Sequence, residues 1–208
     1  IELGDTMSLD KVPFTKIRKE ILNQYKRGGM SSLSWHLRNP LTGGDSWDVS
    51  DTTVVKSILP GGANHEKFTG WVSKVSAFIN SLQTEEGVKV PVLFRPWHEH
   101  TGSWFWWGEK LCTPEEYKAL WHMTVDILRN DGVDNALYAY SPGSEPQDTA
   151  QYLKRYPGDE LIDLIGFDTY QFERDTYLAN LEKSLAIVDS IGKAHNKVCL
   201  LYTSPSPR

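Results

Sequence analysis

The sequence predicts an α/β fold in which short strands alternate with helices around one parallel sheet. Three observations support this prediction. Apolar runs of strand length alternate with segments of helical period along the 208 residues. Polar, aromatic and glycine-rich residues follow directly after several predicted strands, as at 97–99, 141–143 and 168–170. No internal repeat or linker separates these units, so we predict a single domain.

Five strands and a weaker sixth are predicted from the apolar runs. In chain order they are 1–4, which is the weak one, then 30–35, 88–96, 136–140, 161–167 and 197–201. Because six strands do not close an eight-stranded barrel, two architectures stay open: an open doubly wound sheet, or a barrel that lacks a strand at each end. In both, the residues that follow the strands meet at one edge of the sheet, where we expect the functional site.

The clearest predicted helix spans 64–83, where apolar residues recur on a single face. Those residues are Phe68, Trp71, Val72, Val75, Phe78, Ile79 and Leu82. A second helix begins at 113–116 with Thr-Pro-Glu-Glu, which predicts a capping box with proline at the first helical position. A third spans 174–192, and its predicted buried face consists of Leu178, Leu181, Leu185 and Val188. A shorter helix contains Ile17, Ile21, Leu22 and Tyr25.

The composition argues against several classes of partner. With a formal net charge of −5, the chain offers no basic stripe for nucleic acid or an anionic membrane surface. No apolar run approaches the ~18 residues of a membrane span, and a neutral or cationic ligand fits the charge better. Cys112 and Cys199 lack the spacing of a zinc site or a disulfide framework, so we expect two buried free thiols. The sequence indicates no cofactor and no resident metal.

Residues 95–108, RPWHEHTGSWFWWG, combine an acidic side chain with five aromatic ones. Glu99 follows a predicted strand, so its carboxyl group is expected at the mouth of the site, beside Trp97 and Trp104. Apolar surroundings disfavour the charged form of a carboxyl group, which suits a general acid that donates a proton near neutral pH. Sugar rings pack their apolar faces on exposed aromatic rings. The combination predicts glycoside hydrolysis, in which one carboxylic acid protonates the leaving oxygen and a second carboxylate acts at the anomeric carbon.

The same residues allow less specific interpretations. The tryptophans could fill the core, and Glu99 could be the ion-pair partner of Arg95. Glu145, in the loop 141–146, could also reach the mouth and supply a second carboxylate, although an acid in such a loop is expected to be solvated.

A metal-dependent hydrolase is a further alternative. In that interpretation His98 and His100 share one face of the strand, and His36 and Asp168 complete a metal site. Five aromatic side chains next to a metal site would be unusual, so this interpretation is the weaker one.

The sequence resembles the β-mannanases of glycoside hydrolase family 26 at three motifs. Residues 95–108 resemble the family's fourth-strand motif RPWHE and the loop GxWFWWG that follows it. Residues 28–36, GGMSSLSWH, resemble the third-strand motif, and 156–159, YPGD, with 165–170, IGFDTY, resemble the sixth. The likeness covers roughly residues 1–198, most of the chain.

The resemblance implies a fold and a set of site residues. The fold is a (β/α)₈ barrel, the TIM barrel, with about six of its eight strands in this sequence. Glu99 is implied as the acid/base of a retaining mechanism. The residues implied in substrate binding are His36 and His98 at the cleavage subsite, Trp104 stacked beside them, and Asp168 and Tyr170, which hold substrate and orient the nucleophile.

The implied activity is that of an endo-acting β-1,4-mannanase on mannan, glucomannan or galactomannan. It needs no cofactor. The location implied is extracellular, periplasmic or at the cell surface, because polymeric mannan cannot enter a cell. β-1,3-Xylan and mixed-linkage β-glucan stay open as substrates, since an acid and aromatic rings do not identify the sugar.

The end of the sequence departs from the family pattern. The family's nucleophile is a glutamate in a motif similar to T-E-x-G after the seventh strand, but here the sequence continues YTSPSPR and has no acidic residue after Asp189. We therefore expect 1–200 to be a partial catalytic barrel and 201–208 to be a tail outside the family pattern, of cloning or assembly origin. Such a chain is expected to be inactive as a hydrolase, and a non-hydrolytic β-glycan-binding protein is the alternative.

Overall fold

The sheet of the computed structural model, which describes residues 6–8, 11–171 and 174–202, consists of five parallel strands. They are β1 (Ser31–Ser34), β2 (Val92–Arg95), β3 (Ala136–Tyr140), β4 (Leu164–Asp168) and β5 (Val198–Tyr202). Each strand pairs with the next one along the chain. A doubly wound sheet reverses its strand order at a switch point, and the described part of this sheet does not. The open doubly wound alternative is therefore wrong, and the strand order is that of part of a barrel.

Six α-helices connect and cover the described strands. They are α1 (Phe14–Lys26), α2 (Val54–Ile58), α3 (His65–Asn80), α4 (Pro114–Asn130), α5 (Thr149–Leu153) and α6 (Arg174–His195). A short 3₁₀ helix, Asp159–Leu161, precedes β4. None of the described helices combines the length and the apolar character needed to cross a membrane.

The five stronger strand predictions are confirmed, with shifted ends. The largest shift is at β2, which begins at Val92 instead of residue 88, because 83–89 forms a turn closed by an isolated bridge between Gln83 and Lys89. The weak strand predicted at 1–4 lies outside the described residues, as do residues 203–208 of the predicted tail.

The register aligns the carboxyl ends of the strands. Ser34 at the end of β1 is level with Arg95 at the end of β2, and Asp168 at the end of β4 is level with Tyr202 of β5. Every residue of β2 is buried, which matches a central parallel strand covered on both faces. The residues that follow these strands are thus brought to one edge of the sheet.

The helical patterns predict α3 and α4 well. The buried side of α3 consists of Phe68, Val72, Val75, Ser76 and Ile79. At the start of α4, the Thr113 hydroxyl accepts a hydrogen bond from the amide of Glu116 at 3.1 Å, and the Glu116 carboxylate accepts one from the amide of Thr113 at 2.9 Å. This arrangement is the predicted capping box.

The predicted buried face of α6 is wrong in part. Leu178 and Leu185 are 62% and 45% exposed, whereas Ile187, Val188 and Ile191 are buried. The helix has two apolar faces, and β4 and β5 pack on the second one. Apolar periodicity alone does not say which of two such faces meets the sheet.

The two thiols differ in burial. Cys112 is buried and free, as predicted, and burial raises the pKa of its thiol to about 11. Cys199 is also free, but it is exposed, so the prediction of burial is wrong. It lies on β5, which among the described strands has only β4 beside it.

Candidate active site

A cleft of about 590 Å³ lies at the carboxyl ends of the strands and contains all six of the predicted site residues. Its walls come from β1 to β5 and the segments that follow them. The lining residues are Ser34, His36, Trp47, Arg95, His98, Glu99, Trp104, Phe105, Gly143, Ser144, Glu145, Asp168, Thr169, Tyr170 and Tyr202. The strand ends thus bring together His36, Glu99 and Tyr170, which are far apart in the sequence.

The backbone after β2 turns sharply and directs Glu99 into the cleft. Trp97 and Glu99 adopt left-handed conformations, with φ of +52° and +53°, which are unfavourable for residues other than glycine. The turn is held by the amide of Glu99, which donates to the carbonyl of Ser141 at 2.8 Å, and by the hydroxyl of Tyr117, which donates to the carbonyl of Trp97 at 2.9 Å. An unfavourable backbone held by its surroundings is a common property of functional sites.

Two donors orient the carboxylate of the half-buried Glu99. The hydroxyl of Tyr170 donates to Oε1 at 2.9 Å, and the indole N–H of Trp104 donates to Oε2 at 2.9 Å. Burial, and next the charge of Glu99, raise the pKa of Tyr170, so this tyrosine keeps its proton and remains a donor. The carboxylate is therefore fixed by two of the residues predicted to bind substrate.

Arg95 pairs with Asp168 and not with Glu99, so the predicted alternative of an Arg95–Glu99 ion pair is wrong. The Arg95 guanidinium donates to the Asp168 carboxylate, and both side chains are almost fully buried. Ser141 donates its hydroxyl to the same carboxylate at 2.6 Å, and the Tyr202 ring stacks 3.9 Å from the Arg95 guanidinium carbon. Burial raises the pKa of Asp168 to about 7, although Arg95 and Ser141 both favour its ionised form.

His36 and His98 form a direct pair beside the carboxylates. Their Nε2 atoms lie 3.2 Å apart, so one ring donates to the other when both are neutral. Burial, followed by the charge of Arg95, holds the pKa of His98 well below its usual range. The lowered pKa keeps the His98 ring neutral, which suits a polar, uncharged ligand in this part of the cleft.

The structure does not support the metal site predicted from His98 and His100. The His100 ring points away from the cleft and packs between Tyr117 and Tyr140, with centroid distances of 4.4 and 4.9 Å. Ligand-type atoms of His98, Glu99 and Asp168 do lie within 4.8 Å of one another. The Arg95 guanidinium against Asp168 already supplies a positive charge there, and it would repel a metal cation.

Most of the aromatic side chains at 95–108 belong to the core, as the less specific interpretation allowed. Trp97, Trp106 and Trp107 are fully buried and pack edge to face, whereas Trp104 is 36% exposed in the cleft. Trp47, which the sequence pattern did not predict as a site residue, is 58% exposed and packs on Phe105 with a centroid distance of 4.8 Å. The sequence indicates the exposure of Trp47 only through its isolated position in the glycine- and aspartate-rich segment 43–48.

The sequence profile of glycosyl hydrolase family 26 matches residues 10–197. The chain belongs to this family. It is 35% identical over 193 residues to the mannan endo-1,4-beta-mannosidase of Bifidobacterium adolescentis, covering 89% of this chain and 19% of that protein. It is 29% identical over 173 residues to the enzyme of the same name from Bacillus subtilis (strain 168), covering 77% of this chain and 45% of that protein.

A solved structure of a family 26 β-mannanase from Bacteroides ovatus, BoMan26A, is similar to nearly the whole chain. The two share 56% sequence identity with a TM-score of 0.96, and the match covers 98% of this chain and 61% of that one. The chain thus spans only part of the length of each of these relatives. The similarity confirms the incomplete barrel fold.

In this family 26 chain, one buried arginine anchors the segment that carries Trp104. We call residues 100–112 the aromatic loop. Arg155 donates to five of its carbonyls, those of His100, Trp107, Gly108, Glu109 and Cys112. The guanidinium also lies over the ring of Tyr117. Sequence patterns do not reveal this role, because the acceptors are backbone carbonyls and the thiol of Cys112, 43 positions away.

Proposed function

We propose that the chain is the acid/base-bearing part of an endo-acting β-1,4-mannanase, which hydrolyses mannan, glucomannan or galactomannan by retaining double displacement. The observation that carries the proposal is the position of Glu99, held by Tyr170 and Trp104 in a cleft with an exposed indole face. Membership of family 26 and the mannanase names of the relatives support the choice of mannan.

Glu99 acts as the acid/base in this mechanism. It protonates the glycosidic oxygen as the bond to the leaving sugar breaks, and then removes a proton from the water that releases the product. Trp104 donates to the same carboxylate with its N–H and offers its exposed ring to the apolar face of a sugar. One residue thereby aligns the substrate with the acid.

The remaining predicted residues hold the sugar around the bond that breaks. In this proposal His36 and His98 border the sugar at the cleavage subsite, where the Nε2 atoms of the two rings contact each other. Asp168 and Tyr170, which lie beside Glu99, hold substrate and orient the nucleophile by hydrogen bonding in this proposal. Because the cleft's Asp168 carboxylate is already paired with Arg95, it serves as a fixed polar group and not as the attacking base.

The charges of the cleft favour a neutral glycan. Among the described lining residues the permanent cation is Arg95, whose charge is matched by Asp168, whereas Glu99 and Glu145 carry acidic groups. A polysaccharide rich in uronic acids would be repelled by these carboxylates. Unmodified mannan carries no such charge.

The proposal assigns the nucleophile to no residue of the sequence given. Double displacement needs a second carboxylate close to Glu99, and the sequence has no acidic residue after Asp189. We therefore expect residues 1–200 to bind substrate as a partial catalytic domain without hydrolysing it. The protein is expected to work outside the cell or at its surface, where polymeric mannan is found.

Calorimetric titration with β-1,4-mannohexaose tests the proposal, with cellohexaose and a β-1,3-xylo-oligosaccharide as comparisons. We expect mannohexaose to bind most tightly, and no new reducing ends to form. Tighter binding of cellohexaose or of the xylo-oligosaccharide would indicate a glucanase or a β-1,3-xylanase of the same family. Absence of binding to all three would contradict a glycan site.

A non-hydrolytic β-glycan-binding protein is the second candidate. The exposed ring of Trp104 in the cleft is compatible with it, because a sugar can pack on that ring without any covalent step. Reducing ends released from mannan by the chain itself would exclude this candidate, and would also contradict the expectation that the chain is inactive.

A further inference from the structure

The segment after β3 carries an acidic side chain that the cleft wall holds in one place. The Glu145 Oε2 atom accepts a hydrogen bond from the hydroxyl of Thr101 at 2.5 Å. The Thr101 oxygen in turn accepts from the amide of Gly143 at 2.9 Å. A hydroxyl can donate one hydrogen bond and accept another, so the amide of Gly143, the hydroxyl of Thr101 and the carboxylate of Glu145 form a network of two consecutive hydrogen bonds. Glu145 is therefore a positioned group, although its side chain is solvent-exposed.

The absence of a side chain at residue 143 makes this position of Glu145 available. A Cβ atom built on Gly143 would lie 2.2 Å from Oε2 of Glu145, which is well inside van der Waals contact. Any other residue at 143 would therefore push the carboxylate off Thr101. The glutamate folds back over the glycine backbone instead of extending into solvent.

The same network ties Glu145 to the acid/base. Thr101 is two residues after Glu99, and the amide of Glu99 donates to the carbonyl of Ser141 at 2.8 Å. The segments 99–101 and 141–145 are thus joined at both ends, by Glu99 to Ser141 and by Thr101 to Gly143 and Glu145. Both glutamates line the same cleft.

Within the part of the chain that the structure describes, Glu145 has no ion-pair partner, and its Oε1 atom accepts no hydrogen bond. Among these described residues no cation neutralises its charge, and the hydrogen bond from Thr101 engages Oε2 and not Oε1. A carboxylate of this kind is a strong acceptor for ligand hydroxyls, since hydrogen bonds to an ionised acceptor are stronger than those between neutral groups.

We infer that Glu145 is a substrate-binding residue, whose carboxylate accepts hydrogen bonds from hydroxyl groups of a neutral sugar in the subsite next to Glu99. The inference rests on the proposed function, since it assumes that the cleft binds a β-linked glycan. It gives Glu145 a role in binding and none in covalent chemistry. Thr101 and Gly143 act through Glu145, as positioning residues.

The test is calorimetric titration of β-1,4-mannohexaose into the chain and its variants. We expect Glu145→Ala to weaken binding about 10- to 100-fold, the range for losing hydrogen bonds to a charged acceptor. Glu145→Gln should weaken binding less, because the amide keeps one carbonyl acceptor. The matched control is Glu85→Gln, a change of the same kind at an exposed residue remote from the cleft, which should leave affinity unchanged.

Variants of Thr101 show whether this residue affects binding by positioning Glu145 or by destabilising the fold. Thr101→Val removes the hydroxyl and should weaken binding in the wild-type background. It should have little further effect when Glu145 is already alanine. Thr101→Ser keeps the hydroxyl and should restore affinity. Thermal unfolding of each variant shows whether the fold is intact.

Three outcomes are distinguished by these measurements. Loss of affinity in the Glu145 variants but not in Glu85→Gln supports the inference. If the wild type binds mannohexaose and Glu145→Ala binds it with an affinity within twofold of the wild-type value, the inference is wrong and the proposed function still holds. Failure of the wild-type chain to bind any β-glycan overturns both.

Discussion

The hydroxyl of Tyr170 lies 2.9 Å from Oε1 of Glu99 and donates a hydrogen bond to it, although the two residues are 71 positions apart in the sequence. The contact couples the proton of Tyr170 to the charge of Glu99. Burial, then the charge of Glu99 and this hydrogen bond, raise the pKa of Tyr170. The pair therefore provides a measurable signature of the site in the absence of any substrate.

Replacement of Glu99 by glutamine should lower the pKa of Tyr170. The substitution removes the negative charge that opposes ionisation of the phenol, while the contribution of burial remains. Titration of ¹³C-labelled tyrosines by NMR, with Tyr170→Phe to assign the signal, measures the change. Tyr138, whose pKa is raised to about 12 by burial on β3, serves as an internal control and should not respond. An unchanged Tyr170 signal would mean that the contact is not formed in solution.

If Glu99 is the general acid, the loss of turnover in a Glu99 variant should depend on the leaving group of the substrate. In a catalytically complete protein that contains this chain, Glu99→Gln should lower turnover of mannan by about 10² to 10⁴, the range for general acid catalysis. Aryl glycosides with activated leaving groups need little protonation and should lose much less. Initial rates on both substrates check this expectation. Equal losses on the two substrates would argue for a structural role instead.

The hydrogen bonds of Arg155 predict that its replacement lowers the free energy of unfolding more than replacement of the adjacent Lys154. Arg155→Lys should lower the free energy of unfolding by about 3 kcal/mol, because a single ammonium cannot reach five carbonyls and leaves buried acceptors unpaired. Lys154→Met removes an exposed contact with Glu109 and should cost about 0–1 kcal/mol. Urea unfolding of both variants gives the comparison. Similar losses in the two would show that the aromatic loop does not depend on Arg155.

The buried His100 predicts a loss of stability on mild acidification. Burial, followed by the charge of Arg155, holds the pKa of His100 well below its usual range, so the unfolded chain binds a proton that the folded chain does not. Below about pH 6.5, unfolding should therefore become easier by up to about 1.4 kcal/mol per pH unit on account of this residue. Stability should recover as the pH rises through that value.

His100→Phe isolates this contribution, because all other titrating groups are common to both proteins. Urea unfolding between pH 5.5 and 7.5 should show the wild type losing stability relative to the variant as the pH falls. Parallel profiles would mean that His100 binds its proton equally well in the folded and the unfolded chain, so that its pKa is not lowered by folding.

Trp47 and Trp104, the two exposed indoles of the cleft, should each contribute to ligand affinity. Trp47→Ala and Trp104→Ala should each weaken mannohexaose binding by roughly tenfold or more, since each removes apolar surface on which a sugar can pack. Trp71→Ala, on α3 away from the cleft, is the control for loss of an indole as such. Calorimetry measures all three. If Trp47→Ala binds like the wild type, the substrate does not extend over the segment 43–48.

Much of the site was predictable because it lies close to the strand ends in the sequence. Glu99 and Asp168 follow apolar runs, and parallel strands direct such residues to one edge of the sheet. The capping box of α4 was predictable for a similar reason, since all of its groups lie within four residues. Such features can be predicted from neighbouring residues alone, without the positions of distant parts of the chain.

Contacts between distant residues were not predictable in the same way. Arg95 precedes Glu99 by four residues, yet it pairs with Asp168 on another strand, 73 positions away. His98 and His100 have strand-like spacing, but the backbone between them is left-handed at Glu99. His98 lines the cleft, whereas the His100 ring packs between two tyrosines. The exposed position of Leu185 on α6 likewise depends on which face the sheet covers. These outcomes follow from tertiary packing, which outweighs local pattern.

The unequal burial of the tryptophans has an optical consequence. Five of the eight, Trp35, Trp97, Trp106, Trp107 and Trp121, are wholly buried, while the exposed Trp47 and Trp104 both line the cleft. Indoles in water emit at longer wavelengths than buried ones, so the red edge of the intrinsic fluorescence comes largely from the cleft. A sugar bound there should shift that emission to the blue and shield it from iodide. The chain thus carries its own unlabelled reporter of occupancy.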